Sequence, residues 1–397
     1  MENFVFNSTT RVIFGRGTEN NVGEEIKSWG GKKVLVHYGS ESARKSQLLD
    51  RVEQSLKNAG LEYVLLGGVV PNPHIGKARE GIQLCKEHDL DFILAVGGGS
   101  VIDSAKAIAY GVKYQGDVWE IYDRRPQYPI EDALPVGSIV TIAAAGSETS
   151  SSSVLTDETT LLKRGYKSEL SRPKFAIMNP ELTFTLPRYQ TVCGIVDIMM
   201  HTFERFFTPR AHNHMSDLIA VAVLRNVIDN GRLVLEKPQD YQVRSEILWA
   251  SNLSHNDLTG LGQKEDWATH QIEHELGGMF NVAHGAGLAA VWGSWARYVY
   301  REDVMRFVEY ASQVWDVPVN YENYEETALA GIKITEQYFR SLDMPVSIPQ
   351  LLGRQITEEE IEQLSSSCVH FGRRTIGSFK VLDKEDVKII YHMANEE

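Results

Sequence analysis

Little cysteine, no long apolar run and no basic tract are present in this chain, and each shortage removes a class of protein. Only Cys85, Cys193 and Cys368 occur among 397 residues. So few thiols, so far apart, exclude a disulfide framework and a thiolate metal cluster. Any metal must then be held by nitrogen and oxygen. No stretch approaches the roughly 20 apolar residues that span a bilayer. The opening MENFVFNSTTRVIFGRG has no basic segment leading into an apolar run and a small-residue cleavage site, so the expected location is the cytoplasm, away from membranes. Lys and Arg number 40 against 53 Asp and Glu, a formal charge of −13. With no basic stripe to offset that excess, nucleic acid is excluded as a partner.

The remaining composition is that of a folded chain. At 397 residues it exceeds the roughly 250 to 300 residues at which single cores stop growing, so two domains are expected. From residue 33 onward apolar strands alternate with helical periodicity: KVLVHY (33–38), an amphipathic run at 42–58, EYVLL (62–66), a helix at 75–88, then DFILAV (91–96). That alternation predicts a doubly wound parallel sheet covered on both faces. SIVTIAA (138–144) and KFAIMNP (174–180) read as further strands, and FVFNSTTRVIFG near the start as a hairpin. Beyond about residue 186 the pattern becomes helical, as at 216–235, 241–255 and 325–342. The expected organisation is an α/β dinucleotide-binding domain over 1–186 and an all-α, metal-binding C-terminal domain over 187–397.

GGGS at 97–100 lies between a buried strand and a helix. Backbone N–H groups and the positive end of a helix dipole hold phosphate at such a place, and glycine lets the pyrophosphate approach. A tight turn is the plainer alternative, since four residues are not the G-x-G-x-x-G fingerprint. After the first strand an acid normally bonds the ribose 2′-OH in NAD enzymes and repels a 2′-phosphate. Here Gly39 and Ser40 are small and uncharged, leaving room for NADP, although Glu41 follows one position later.

Histidine is the second signal. GIVDIMMHTFERFF (194–207) places Asp197 and His201 four apart, one helical turn on the same face. THQIEHELGGMFNVAHG (269–285) repeats that spacing with His270 and His274 and adds His284 before Gly285. Singly, each has a dull explanation in a core contact or a helix-stabilising pair. Together, Asp and three His have the ligand types and count of a mononuclear Fe²⁺ or Zn²⁺ site.

The order GGGS after a strand, D-x-x-x-H, H-x-x-x-H and A-H-G resembles the iron-containing (group III) alcohol dehydrogenases, whose fold is dehydroquinate synthase-like. The likeness covers nearly the whole chain and is nearest to the NADPH-dependent butanol dehydrogenases and broad-range aldehyde reductases. It implies that Asp197, His201, His270 and His284 ligate the metal, with His274 beside them. It further implies Gly97, Gly98, Gly99, Ser100 and Asp103 at the pyrophosphate and ribose, Gly39 and Ser40 at the adenosine end, Thr141 at the nicotinamide, and Asn72 and Lys163 near the cofactor. Where the family reads T-I-P-A-T-G-S-E, this chain has Ala143 for proline and Ala145 for the second threonine. One hydroxyl contact to the cofactor is thereby lost.

The expected protein is an NADP(H)-linked alcohol dehydrogenase or aldehyde reductase with one divalent metal, Fe²⁺ or Zn²⁺, acting on small aldehydes and primary alcohols in the cleft between its domains. His274, with an imidazole's usual pKa of about 6.5, suits proton transfer. Trp267, Met279 and Phe280 suggest an apolar lining for an alkyl substrate. The alternatives are a polyol dehydrogenase or a dehydroquinate-synthase-like lyase of the same fold. The apolar N-terminal run suggests a homodimer.

Overall fold

Strands that are apolar at every position must be covered on both faces, and here they are. The computed structural model describes residues 1–39, 42–209 and 213–396. These fall into two compact units, one comprising Asn7–Leu186 and Pro238–Leu248, the other Met1–Phe6, Pro187–Lys237 and the residues from Trp249 on. The chain passes between units after Leu186, and again around 6/7, 237/238 and 248/249, so that 1–6 and 238–248 lie with the unit opposite to their place in the sequence.

The α/β unit contains strands β1 (Arg11–Phe14), β2 (Lys33–Tyr38), β3 (Glu62–Leu66), β4 (Phe92–Gly97), β5 (Val136–Val140), β6 (Ser152–Asp157), β7 (Leu162–Lys167) and β8 (Phe175–Met178). Its helices are α1 (Val22–Ser28), α2 (Ser42–Lys45), α3 (Leu48–Asn58), α4 (Ile75–Glu87), α5 (Gly99–Lys113) and α6 (Val118–Tyr122). Six strands form one sheet in the order β1-β8-β5-β4-β2-β3, with every pairing parallel. Side chains alternate between two cores. Leu35, Ile93 and Ala95 pack with Ala105 and Ile108 of α5 on one face. Val34, Val36, Leu94 and Val96 pack with Leu49, Val52 and Leu56 of α3 on the other. Each large aliphatic side chain so buried is worth about 1.5 to 3 kcal/mol, so the sheet is a rigid platform for the loops at its carboxyl edge.

Two local expectations need correction, and one element was missed. The N-terminal run is no hairpin: Arg11–Phe14 pairs in parallel with β8 at the sheet edge, and no Gly or Asn-Gly turn precedes it to fold the chain back. Phe4, Val5 and Phe6 stay exposed. The helical run at 42–58 is broken at Gln47, whose φ of 57° interrupts the hydrogen-bond ladder. The β6–β7 antiparallel hairpin was not anticipated, because its polar sequence SSVLTD/LKRGYK carries little of the apolar alternation that marks a strand.

The second unit is helical throughout its described segments, apart from one isolated bridge between Ile376 and Leu382. Its elements are α7 (Arg188–Phe206), α8 (His214–Glu236), α9 (Tyr241–His255, whose first half lies with the α/β unit), α10 (Ala268–Phe280), α11 (His284–Val299), α12 (Val304–Trp315), α13 (Tyr324–Ser341), α14 (Ile348–Leu352), α15 (Glu358–Cys368) and α16 (Lys384–Ala394). Its core is aromatic: Phe203 of α7 stacks on Trp292 of α11 at 5.1 Å and meets Tyr310 of α12 edge-on at 5.4 Å. No described helix is long and apolar enough to cross a membrane.

One buried histidine ties sheet to helix in the α/β unit. His37 of β2 is fully enclosed, its Nδ1 3.1 Å from the Leu66 carbonyl and its Nε2 2.9 Å from Ser104 Oγ. The carbonyl only accepts, so Nδ1 carries the proton and Nε2 accepts from Ser104. Burial pushes this imidazole down to about 4. The unfolded chain protonates His37 near 6.5 while the folded one resists, so stability is lost as pH falls from 6.5 toward 4. Urea unfolding at pH 7.5 and 5.0 should show about 2 kcal/mol of this loss in the native protein, and His37→Gln should flatten the slope by that amount. An unchanged slope in the variant would refute the assignment.

Candidate metal centre and dinucleotide cradle

In the helical unit, α7 is buried almost throughout its length yet carries polar groups, and their positions build the site. Asp197 and His201 project from the same face one turn apart, with His201 Nδ1 3.2 Å from Asp197 Oδ1. His270 arrives from α10 with Nε2 3.8 Å from the same oxygen. His284, the first residue of α11, presents Nε2 at 3.7 Å. Glycine makes this last approach feasible: a Cβ on Gly285 would lie 2.1 Å from the Cys193 carbonyl oxygen of α7. A Cβ on Gly287 would lie 2.8 Å from Glu273 Cγ of α10. The sequence A-H-G is thus a histidine delivered by a helix start that must lie against two other helices.

Three imidazoles therefore surround one carboxylate oxygen. Asp197 and His270 are both about 96 to 97% buried, yet Asp197 Oδ1 and His270 Nε2 have no hydrogen-bond partner. Orphaned buried polar atoms are costly. Separations of 3.7 and 3.8 Å are too long for hydrogen bonds. They match ligands held apart by an ion, since two atoms each about 2.1 Å from a tetrahedral metal lie about 3.4 Å from one another. The donor set of carboxylate and imidazoles, without thiolate, fits a divalent first-row ion.

The electrostatics agree with such a site. Burial alone would raise the Asp197 carboxyl, but the adjacent His201, His270 and His284 hold it well below the usual range. Burial pushes His201 down to about 4, against the pull of Asp197. His201 is therefore neutral at pH 7, as a ligand must be. Burial would likewise lower His270, but Asp197 and Glu204, facing its two nitrogens, push it up to about 9.

His274 does not join the three imidazoles around Asp197. It is half-buried, its ring 5.8 Å from that of His284 and 6.5 Å from that of His270, and it groups with Glu273 and His284 instead. Trp267 sets its edge against His201 and His270 at 5.8 and 5.2 Å. Phe280 lies under the Arg354 guanidinium.

Three neighbours escaped sequence reading. His255 of α9 stacks on His201 at 4.2 Å. Glu204 of α7 accepts from His270 Nδ1 at 2.8 Å, and Glu273 of α10 pairs with His284 Nδ1. Buried carboxylates in apolar helices, in HTFERFF and HQIEHE, were the available signal.

The α/β unit gathers most of the expected cofactor residues about the start of α5. β4 ends at Gly97, Gly98 is the N-cap with no side-chain cap, and α5 begins at Gly99. A Cβ on Gly97 would lie 2.5 Å from Val101, and one on Gly98 2.9 Å from Ile142. Glycine thus lets the 141–145 stretch close against the helix start, leaving Gly99 and Ser100 half-exposed. A Cβ on Gly99 would lie 3.1 Å from the Ala145 methyl group, so the missing threonine hydroxyl belongs beside the cradle. Thr141 is half-buried, its N–H donating to the Gly97 carbonyl at 3.1 Å. Gly39, at the end of β2, lies beside Val101. Ser40 and Glu41 lie outside the described residues.

Asp103, expected at the ribose, accepts from Ser147 Oγ at 2.6 Å and from the Val154 N–H at 2.9 Å. The buried Lys106 donates to the Ser147, Ser150 and Ser152 carbonyls. Together they tie the 147–154 stretch to α5. Lys163 of β7 is buried opposite Thr156 of β6, close enough for its charge to act on Asp103. Asn72 is buried in the left-handed conformation, φ 52°, and the following Pro73 carbonyl accepts from the Thr156 N–H at 2.8 Å. Asn72, Asp103 and Lys163 thus converge on one hairpin.

A carboxylate-and-imidazole cluster suited to a divalent ion and a glycine-lined helix start suited to a pyrophosphate fit the class of dinucleotide-linked oxidoreductases. Residues 9–180 match the iron-containing alcohol dehydrogenase model and residues 191–395 that of the family's C-terminal part, and the chain belongs to the iron-containing alcohol dehydrogenase family. It is 38% identical to NADH-dependent butanol dehydrogenase A of Clostridium acetobutylicum, over 98% of this chain and 99% of that protein. With the NADPH-dependent aldehyde reductase YqhD of Escherichia coli K12 it shares 33% identity over 92% and 96% of the two chains. The crystal structure of NADH-dependent butanol dehydrogenase A from Thermotoga maritima superposes with a TM-score of 0.94 at 37% identity, covering 100% of this chain and 99% of that one. Membership implies a nicotinamide cofactor and a divalent metal.

Gly285→Ala tests the helix contact that delivers His284. The added methyl group must push α11 from α7, so unfolding in urea should show a loss of about 1 to 3 kcal/mol. Native stability in the variant would contradict the close approach.

Proposed function

We propose that the chain is a metal-dependent, NADPH-linked reductase that interconverts short-to-medium-chain aldehydes and primary alcohols of the butanal and butanol type. The observation that carries this reading is the orphaned Asp197 Oδ1 amid three imidazoles, in a chain of this family. Asp197, His201, His270 and His284 would hold one Fe²⁺ or Zn²⁺. Gly97, Gly98, Gly99 and Ser100 would receive the pyrophosphate at the α5 N-terminus, with Gly39, Ser40, Asn72, Asp103, Thr141 and Lys163 around the rest of the dinucleotide. When bound, the ion supplies positive charge that polarises a carbonyl oxygen, and the nicotinamide supplies or accepts a hydride. Reduction forms one C–H and one O–H bond and oxidises the dinucleotide. His274, half-buried beside His284, would give the proton that makes the O–H bond. Trp267 excludes water on one side of His201 and His270, which favours an alkyl substrate over a polyol.

Gly39 and Ser40 support NADPH, since neither carries a charge to repel a 2′-phosphate. NADH is the second reading. It is favoured by relatives 35 to 39% identical to this chain that are named NADH-dependent butanol dehydrogenases, and by the acid at Glu41. The exposed Phe4, Val5 and Phe6 support a homodimer.

The test is to mix purified protein with butanal and either NADPH or NADH and follow the nicotinamide absorbance before and after chelation. Oxidation of the dinucleotide, lost on chelation and restored by Fe²⁺ or Zn²⁺, is expected, with NADPH the faster donor. Absence of turnover with every short aldehyde would remove the oxidoreductase reading, and equal or better use of NADH would remove the coenzyme preference. His270→Ala should abolish turnover and lose the metal with the far-UV circular dichroism unchanged. A variant with full metal content and activity would show the ligand set to be wrong.

A further inference from the structure

Two of the imidazoles around Asp197, those of His270 and His284, have Nε2 facing the cluster and Nδ1 engaged behind it by a carboxylate. His270 Nδ1 lies 2.8 Å from Glu204 Oε1, which also accepts the His270 backbone N–H at 3.0 Å. His284 Nδ1 is hydrogen-bonded to Glu273 Oε2. Only His201 lacks a carboxylate of this kind; its Nδ1 lies 3.0 Å from the Asp197 main-chain carbonyl. Both glutamates are buried, Glu204 to 3% exposure and Glu273 to none. Ionised carboxylates at such depth are costly unless a donor offsets their desolvation. The ion pair that Glu204 forms is with His270.

We propose that Glu204 and Glu273 are positioning residues of the metal site, each accepting the Nδ1–H of a ligand histidine and so presenting its Nε2 to the ion. This rests on the metal reading above. A neutral imidazole has one N–H, and the nitrogen without it is the one able to ligate. With Nδ1–H directed at a carboxylate, the proton stays on the rear nitrogen and the ring plane is held. Nε2 of His270 and of His284 is the nitrogen that faces Asp197 Oδ1, at 3.8 and 3.7 Å. The carboxylate also increases electron density on the ring, strengthening its bond to a cation. The two clamps differ in reach. Glu204 holds a histidine 66 positions along the chain, across two helices, whereas Glu273 sits within α10 and holds the first residue of α11.

The test uses the full chain stripped of metal and titrated with Co²⁺, whose absorption bands report ligation directly. The variants are Glu204→Gln and Glu273→Gln, which keep an acceptor of the same shape, and Glu204→Leu and Glu273→Leu, which remove it. Cobalt binding should weaken by about tenfold in the glutamine variants and by up to about a hundredfold in the leucine ones. In nitrogen-15 spectra of the metal-free protein at pH 10.5, where His270, held up to about 9 by Asp197 and Glu204, is neutral, His270 and His284 should be Nδ1–H tautomers. They should become mixtures in the corresponding leucine variants. A purely structural role would lower the melting temperature of the metal-free protein and leave the cobalt-induced rise in melting temperature unchanged. That outcome, or native cobalt affinity in all four variants, overturns the proposal. Native protein that binds no cobalt overturns the metal reading itself, and this inference with it.

Discussion

A single carboxylate oxygen organises the helical half of this chain. Asp197 Oδ1 is buried and has no hydrogen bond, and three imidazoles face it. A lone buried carboxylate in an apolar bundle would be expelled or neutralised. Here it is tolerated because positive charge is available beside it, from the His270 imidazole that Asp197 and Glu204 push up to about 9 or from a cation. Much of the surrounding packing follows from that requirement. α11 must start against α7, which requires glycine at 285, and must run beside Glu273, which favours glycine at 287. The aromatic core of Phe203, Trp292 and Tyr310 then fixes α7, α11 and α12 at this spacing. The apolar core therefore sets the spacing that the polar centre requires.

The nucleotide half solves its problem with backbone rather than side chains. Gly97 and Gly98 are small because Val101 and Ile142 leave no room for a Cβ, and the exposed helix start is a consequence of that closure. The cradle is stiffened from behind by Asp103 and Lys106, whose hydrogen bonds run to a stretch beginning at Ser147. A carboxylate and an ammonium side by side in the interior offset each other's desolvation. Ser147 bridges them, donating to Asp103 and accepting from Lys106. The cost of burying two charges is thus converted into a fixed loop next to the N-terminus of α5.

How much of this could be read in the sequence depended on distance along the chain. Asp197 with His201 was legible because one helical turn brings i and i+4 together whatever the rest of the fold does. The parallel sheet was legible because continuous apolar strands have only one stable environment. Partnerships across many residues were not. Glu204 and His270 are 66 positions apart, and periodicity carries no information at that range. His274 shows the converse. It shares a helix face with His270, yet its ring lies 6.5 Å away, among different partners. The β6–β7 hairpin was hidden by its own polarity, and the N-terminal strand was misread because its partner β8 lies far along the chain.

Burial gives the cluster a direction. The side chains of Asp197, His201 and His270 are only 4 to 5% exposed, whereas that of His284 is 26% exposed, and its neighbour His274 is half-buried as well. The closed sides are sealed by Trp267 and His255 against His201 and by Glu204 behind His270. Anything reaching the centre must therefore come past His284 and His274. The most exposed of the four clustered side chains is also the one at a helix start, where a small movement of α11 displaces it most easily. A firm hydrogen bond to Glu273 is most valuable at that position, since the other three side chains are more deeply enclosed.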